Sequence, residues 1–311
     1  MIGASALLVA SLIFAATFIL PSLASGPLMF GLFLVLLGAT SGLVDVIMNA
    51  RISALEVASK RSLMNANHGV FSASYAVAAI LTGVAREAGW PPIAVFLGAA
   101  MVAVALALTT KQELPAEDAE QRVGKASALW PVLLCGAVTL IAFMSEATVE
   151  SWSALHIERT LLGRAAQGAL GPATLGLTMA IGRFGGQAII EKTSEYTVII
   201  WATVLSIGGV LIAATAATPL VAYLGFGIMG LGISVIGPMA LALVGRLVPQ
   251  DARTQAISKV AVIGFAGFFI APVLMGLISE GFGLRIAFSS VALLLALAFP
   301  LVIAIRRLQT P

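Results

Sequence analysis

Ten runs of mostly apolar residues, each roughly as long as a bilayer is thick when wound into a helix, dominate this chain of 311 residues. They fall near 3–22, 28–50, 66–86, 91–110, 128–148, 168–190, 197–217, 219–245, 257–279 and 284–305. Within hydrocarbon every backbone N–H and C=O must be satisfied inside the protein, which leaves only helices and closed barrels. Barrel strands alternate apolar and polar residues, and that short alternation is absent from these runs. The expected fold class is all-α, a polytopic membrane helix bundle with about ten transmembrane helices.

Composition agrees. Hydrophobic residues make up 60% of the chain and charged residues 10%, and the mean hydropathy is +1.06. A soluble domain carries about 25% charged residues, and no soluble fold of this length could hide so much apolar surface. The net charge of +3 does not point to nucleic acid, because basic residues in short loops serve to orient membrane proteins. The chain has two histidines, His68 and His156, and one cysteine, Cys135. They provide neither a metal-ligand spacing nor an intramolecular disulfide, so neither metal nor cofactor is implied. The loops are too short, and too poor in His, Cys and Asp, to suggest an enzyme. The first run ends in the small residues SLASG (22–26), as a cleaved signal peptide would. No Lys or Arg precedes it, however, and a second run follows almost at once, so it reads as a membrane helix.

Loop charge sets the expected orientation. One set of alternating loops, with the C-terminus, holds thirteen of the 17 Lys and Arg, among them Arg51, Arg61, Arg183, Arg246 and Arg306. The other set holds four: Arg86, Arg159, Arg164 and Arg285. The richer set belongs in the cytoplasm together with both termini, in a plasma (inner) membrane. The longest polar stretch, TTKQELPAEDAEQRVGKAS (109–127), separates four spans from six. This predicts an N-terminal bundle at 1–110, a cytoplasmic linker at 111–126 and a six-helix bundle at 127–311.

The segment GLVDVIMNARISALEVASKRSLMNANHGVFSASYAVAAIL (42–81) resembles the fourth and fifth helices of the major facilitator superfamily, in the branch related to sugar–proton symporters. The matching positions are Gly42, Asp45, Asn49, Glu56, Arg61, Met64, His68 and Ser72. FMSEATVESWSALHIERTLLG (143–163) is similar to the seventh helix of that branch, through Glu146, Glu150 and Trp152. IGRFGGQAIIEKTSEY (181–196) resembles the second-half loop motif, with Gln187 and Glu191 standing where acidic and basic partners are usual. GLGISVIGP (230–238) and SKVAVIGFAGFFIAPVLMG (258–276) resemble the tenth and eleventh helices. That superfamily has twelve helices in two halves of six. The resemblance therefore implies that residues 1–110 correspond to helices three to six, with the first two absent.

Ionisable groups within apolar runs usually face a bundle interior or a watery cavity. Asp45 and Asn49 are one helical turn apart and share a face. They read either as a cavity wall able to bind solute or proton, or as an interhelical clamp. His68, with Ser72 and Tyr75 along the same side, reads as a proton-coupled switch or as a helix-start histidine paired with Asn67 or Glu56. Glu146 lies deep in its run, with Ala142, Glu150 and Ser153 on roughly the same face. It is a candidate for proton coupling or substrate binding, the alternative being an interhelical hydrogen bond. Glu150 reads as a rim residue. Trp152 reads as an interfacial anchor or a stacking platform. Gly182, Arg183 and Arg61 are candidates for a conformational loop or gate, and Arg183 is expected to pair across a loop. The glycines and prolines near 227–238 and 264–276 are expected to permit close helix approach. His156 is expected in an exterior loop.

The resemblance implies secondary active transport of a small polar solute, a sugar or another metabolite, by alternating access, with the proton as coupling ion. A monomer in the lipid bilayer is expected, without nucleic acid. Two alternatives stay open on sequence: a drug or metabolite efflux carrier, and a non-transporting or inactive truncated bundle.

Overall fold

The structure is a computed structural model that describes residues 5–59, 63–110, 129–190 and 193–308. Among the described residues every extended regular element is a helix. They are α1 (Ala6–Phe18), α2 (Pro27–Ser59), α3 (Met64–Glu87), α4 (Pro92–Leu108), α5 (Leu129–Leu155) and α6 (Ala165–Ile190). Then come α7 (Glu195–Thr215), α8 (Pro219–Leu247), α9 (Arg253–Phe282), α10 (Leu284–Ala296) and α11 (Ala298–Arg307). The described residues of the ten apolar runs lie almost wholly on these helices. The last run carries two, because Pro300 lacks the N–H that would bond back to Ala296 and so loosens the ladder there. Leu297 keeps helical dihedrals between them, and α10 and α11 make one span.

Among the described residues eight helical segments are long and apolar enough to cross a membrane, and α4 is apolar but shorter, at 17 residues. Helix α6 has 26 residues and is not among the eight. Its run is diluted by Gln167, Thr174, Thr178 and Arg183.

The described residues form two compact units. One takes in those of Met1–Asn67 and Ala85–Glu120. In it the hydroxyls of Thr17 and Thr40 meet at 2.7 Å in a buried bond between α1 and α2, and Phe18 packs on Phe96 of α4. The other takes in those of His68–Val84 and Gln121–Pro311. Its core runs along α5, α7, α8 and α10 through Cys135, Val138, Phe226, Ile233, Phe288 and Leu295. In lipid, helices associate through close packing rather than hydrophobic expulsion, which favours small contact residues. Gly209 of α7 and Gly225 of α8 face each other so closely that a Cβ on either would stand 2.7 Å from the other's carbonyl oxygen. Gly267 brings α9 onto α5 in the same way, its Cβ position lying 2.9 Å from the Leu140 carbonyl. The expected 111–126 linker and Arg61 lie outside the described residues.

Candidate functional site

In the second unit, three helices converge on one polar chain. Glu146 of α5 is buried, at 7% exposure. The guanidinium of Arg183, on α6, forms an ion pair with it at 3.5 Å (Nη2 to Oε1). The other arm of Arg183 donates from Nη1 to the Ser72 hydroxyl of α3. Ser72 is itself buried and donates to the His68 carbonyl at 3.1 Å. Gly176 makes this meeting possible. A Cβ there would lie 2.8 Å from the Tyr75 ring and 3.0 Å from the Ser72 carbonyl, so only glycine lets α6 approach α3 this closely.

One turn beyond Glu146, Glu150 adds a second carboxylate on the same helix. Tyr75 lies within electrostatic reach of both. Ser153 continues the stripe, fully buried, and its hydroxyl has no hydrogen-bond partner among the described residues. A charge taken out of water is tolerated only when paired and hydrogen-bonded. Arg183 meets that requirement by using one arm for a carboxylate and the other for a hydroxyl.

The structure thus brings together Glu146, Arg183 and Ser72, with Glu150 close by. Asp45 and Asn49 lie on α2 in the other unit. Asp45 is half-buried, and Asn49 Oδ1 is buried without a hydrogen-bond partner among the described residues. Glu56, expected as a partner for His68, accepts the Leu63 backbone N–H at 2.6 Å. Trp152 packs by Gly276 of α9, with its indole N–H buried and unpartnered among the described residues. Gly182 sits where α6 meets Leu231 and Ser234 of α8. Arg183 is not a loop residue, because α6 runs on to Ile190. The side chains of Gln187, Glu191 and Met64 lie outside those described.

His156 corrects the expected exterior-loop placement. Helix α5 continues into a π-helical turn, His156–Thr160. The imidazole is fully buried, with Nε2 at 3.1 Å from the Ala213 carbonyl and rings of Phe226 and Phe288 around it. Arg285 of α10 donates to the neighbouring Ala214 carbonyl at 3.1 Å. The signal was present in sequence, since Val149, Ser153 and His156 keep helical spacing past the end of the apolar run. Two open grooves, one among α6, α7 and α8 lined by Ile181, Trp201, Leu205 and Val235 and the other along α6 and α8 lined by Leu220, Leu224 and Ile228, are mostly apolar.

A sequence profile described as Major Facilitator Superfamily matches residues 136–311. An uncharacterized MFS-type transporter of Yersinia pestis is 28% identical over 273 residues, covering 86% of this chain and 70% of that protein. Membrane protein MosC of Rhizobium meliloti is 24% identical over 252 residues, covering 81% of this chain and 62% of that protein. Among solved structures, the fold is similar to a bacterial homolog of the human lysosomal transporter Spinster in its inward-facing, occupied conformation. The TM-score is 0.77 at 13% identity, over 97% of this chain and 82% of that one. It is also similar to the E. coli fucose:proton symporter, with a TM-score of 0.64 at 17% identity, over 99% of this chain and 84% of that one.

Proposed function

The chain belongs to the major facilitator superfamily, and from that premise we propose that it carries a small polar solute across the membrane by alternating access, coupled to protons. One observation supports this most: the buried Glu146–Arg183 pair tied to Ser72 across α3, α5 and α6. An ion pair at the heart of a membrane bundle can be weakened by a proton added within the cluster of carboxyls that surrounds it. Once weakened, it frees guanidinium donors for hydroxyls of a solute and lets the three helices separate. The fold of the fucose:proton symporter and the sugar–symporter motif at Gly42, Asp45, Asn49, His68 and Ser72 support a sugar or similar metabolite. Asp45, Asn49 and Trp152 are the further solute contacts in this reading, with Gly182, Arg183 and Arg61 serving the conformational change. The two bundles, 1–110 and 127–311, rock about the 111–126 linker. The protein works as a monomer in the plasma (inner) membrane, with both termini cytoplasmic.

The test is uptake into proteoliposomes of a panel of sugars, other metabolites and organic anions, with and without an imposed pH gradient. Gradient-driven accumulation of one solute by wild type, abolished in Glu146→Gln at equal insertion, supports the reading. Full coupled transport by Glu146→Gln overturns the role of Glu146, and no gradient dependence for any solute overturns proton coupling.

A further inference from the structure

The polar cluster holds two carboxyl groups, Glu146 and Glu150, against one guanidinium, Arg183. The two acids differ in their surroundings. Glu146 is nearly sealed and lies 3.5 Å from Arg183. Glu150 retains partial exposure, and among the described residues no cation stands within ion-pair distance of it. Tyr75 of α3 lies within electrostatic reach of Glu150, and Ser153, one turn further along α5, is fully buried without a hydrogen-bond partner among the described residues.

A buried cluster short of one positive charge must acquire it or pay in stability. We propose that the balancing charge is a proton carried by Glu150, while Glu146 stays ionised as the positioning residue that holds Arg183. This deepens the reading above and rests on it, for it says which carboxyl of that site exchanges the proton. The division follows from access. A proton carrier must be reachable from water, and Glu150 is the less sealed of the two. A counter-ion must keep its charge, and Glu146 has the guanidinium. The step is the reversible addition of one proton from water on one side of the membrane to a Glu150 carboxylate oxygen, and its release to the other side.

Other charged groups do not alter this count. From α6 the facing group is Arg183, from α3 it is Tyr75, and from α5 itself Glu146. Charges on the remaining packed helices sit toward their ends: Arg246 on α8, Arg253, Lys259 and Glu280 on α9, Arg285 on α10, and Arg306 and Arg307 on α11. Arg246 and Arg285 are engaged with Glu195 and the Ala214 carbonyl.

The test is infrared difference spectroscopy of the protein in lipid at neutral pH, where exposed carboxylates are ionised. The readout is the C=O stretch of a protonated carboxylic acid, and no transported solute is needed. The band is expected in wild type, to be lost in Glu150→Gln and to move in frequency in Glu150→Asp, which keeps a carboxyl on a shorter arm. Glu146→Asp, which preserves the charge count, should leave its frequency in place. The inference is overturned if wild type lacks the band, if Glu150→Gln keeps it, or if Glu146→Asp moves it and Glu150→Asp does not. The aspartate pair guards against a glutamine variant that fails to fold. Since this readout needs no flux, a band assigned to Glu150 alongside failed proton-driven uptake would overturn the transport reading while leaving the proton site standing.

Discussion

Arg183 binds Glu146 with one arm and Ser72 with the other, joining residues 37 and 111 positions away from it in the chain. The whole side chain of Arg183 is 16% exposed and that of Glu146 9%. A planar fork of donors suits this double duty, which a lysine ammonium on its flexible stem would fill less well.

Removing one partner leaves the other buried and uncompensated. Arg183→Leu should therefore cost about 3 kcal/mol, the order seen for broken buried pairs. Removing both charges in Arg183→Leu/Glu146→Gln should recover much of that loss. Thermal unfolding of the purified protein in lipid nanodiscs measures the cycle. Simple additivity of the two single losses would show that the pair is not energetically coupled.

Gly209 and Gly225 make a sharper steric prediction. Each backbone stands where the other's Cβ would be, so Gly209→Leu must push α7 and α8 apart. Overpacking of this kind costs about 1–3 kcal/mol. Gly31 of α2 has nothing within 4 Å of its Cβ position, and Gly31→Ala should be neutral or stabilising by up to about 1 kcal/mol. Folded yield and melting temperature distinguish the two. Equal tolerance would contradict the close contact of α7 and α8.

The fold was legible because a helix in hydrocarbon leaves a long apolar run, and the described residues of all ten runs are almost wholly helical. Helix ends were less so: α2 reaches Ser59 because polar residues such as Asn49, Arg51 and Ser59 remain helical once the chain leaves the apolar zone. Glu146 stood out as an acid inside a greasy run, and Ser72 and Arg183 each carried a motif signal. Their meeting did not, since nothing local connects positions so distant in sequence. Arg183 was further disguised by a loop-like motif that the structure folds into α6. His156 keeps helical spacing from Val149 and Ser153, but HIERT carries two charges and reads as solvent-facing, whereas the chain continues there as a π-helical turn with the imidazole buried.

At the opposite end of α7 from His156, Glu195 pairs with Arg246 of α8 at 3.0 Å. Arg246 is 71% exposed, so water and salt screen it. Arg246→Ala should cost less than about 1 kcal/mol, with a loss that shrinks further as ionic strength rises. Melting temperatures at low and high salt measure this. A large, salt-independent loss would mean that Glu195, in the first turn of α7, depends on Arg246 rather than on the helix N-terminus for its charge.

The last turn of α7 ends in carbonyls with no partner inside the helix. Two of them are taken by side chains from elsewhere, Ala213 by the His156 ring and Ala214 by Arg285. If the imidazole is the donor at Nε2, its other nitrogen, Nδ1, is left without a partner in an apolar setting between Phe226 and Phe288. His156→Leu keeps the bulk and the apolar contacts but removes one of the two hydrogen bonds to the Ala213 carbonyl, which still accepts the Ala216 N–H at 3.3 Å, at a cost of about 0.5–1.5 kcal/mol. Because Arg285 still holds the next carbonyl, the damage should be confined to the end of α7. Hydrogen exchange should therefore quicken at the last turn of α7 and in the His156–Thr160 turn, while the middle of α8 keeps its protection. Unchanged exchange at both places would show that His156 merely fills space there.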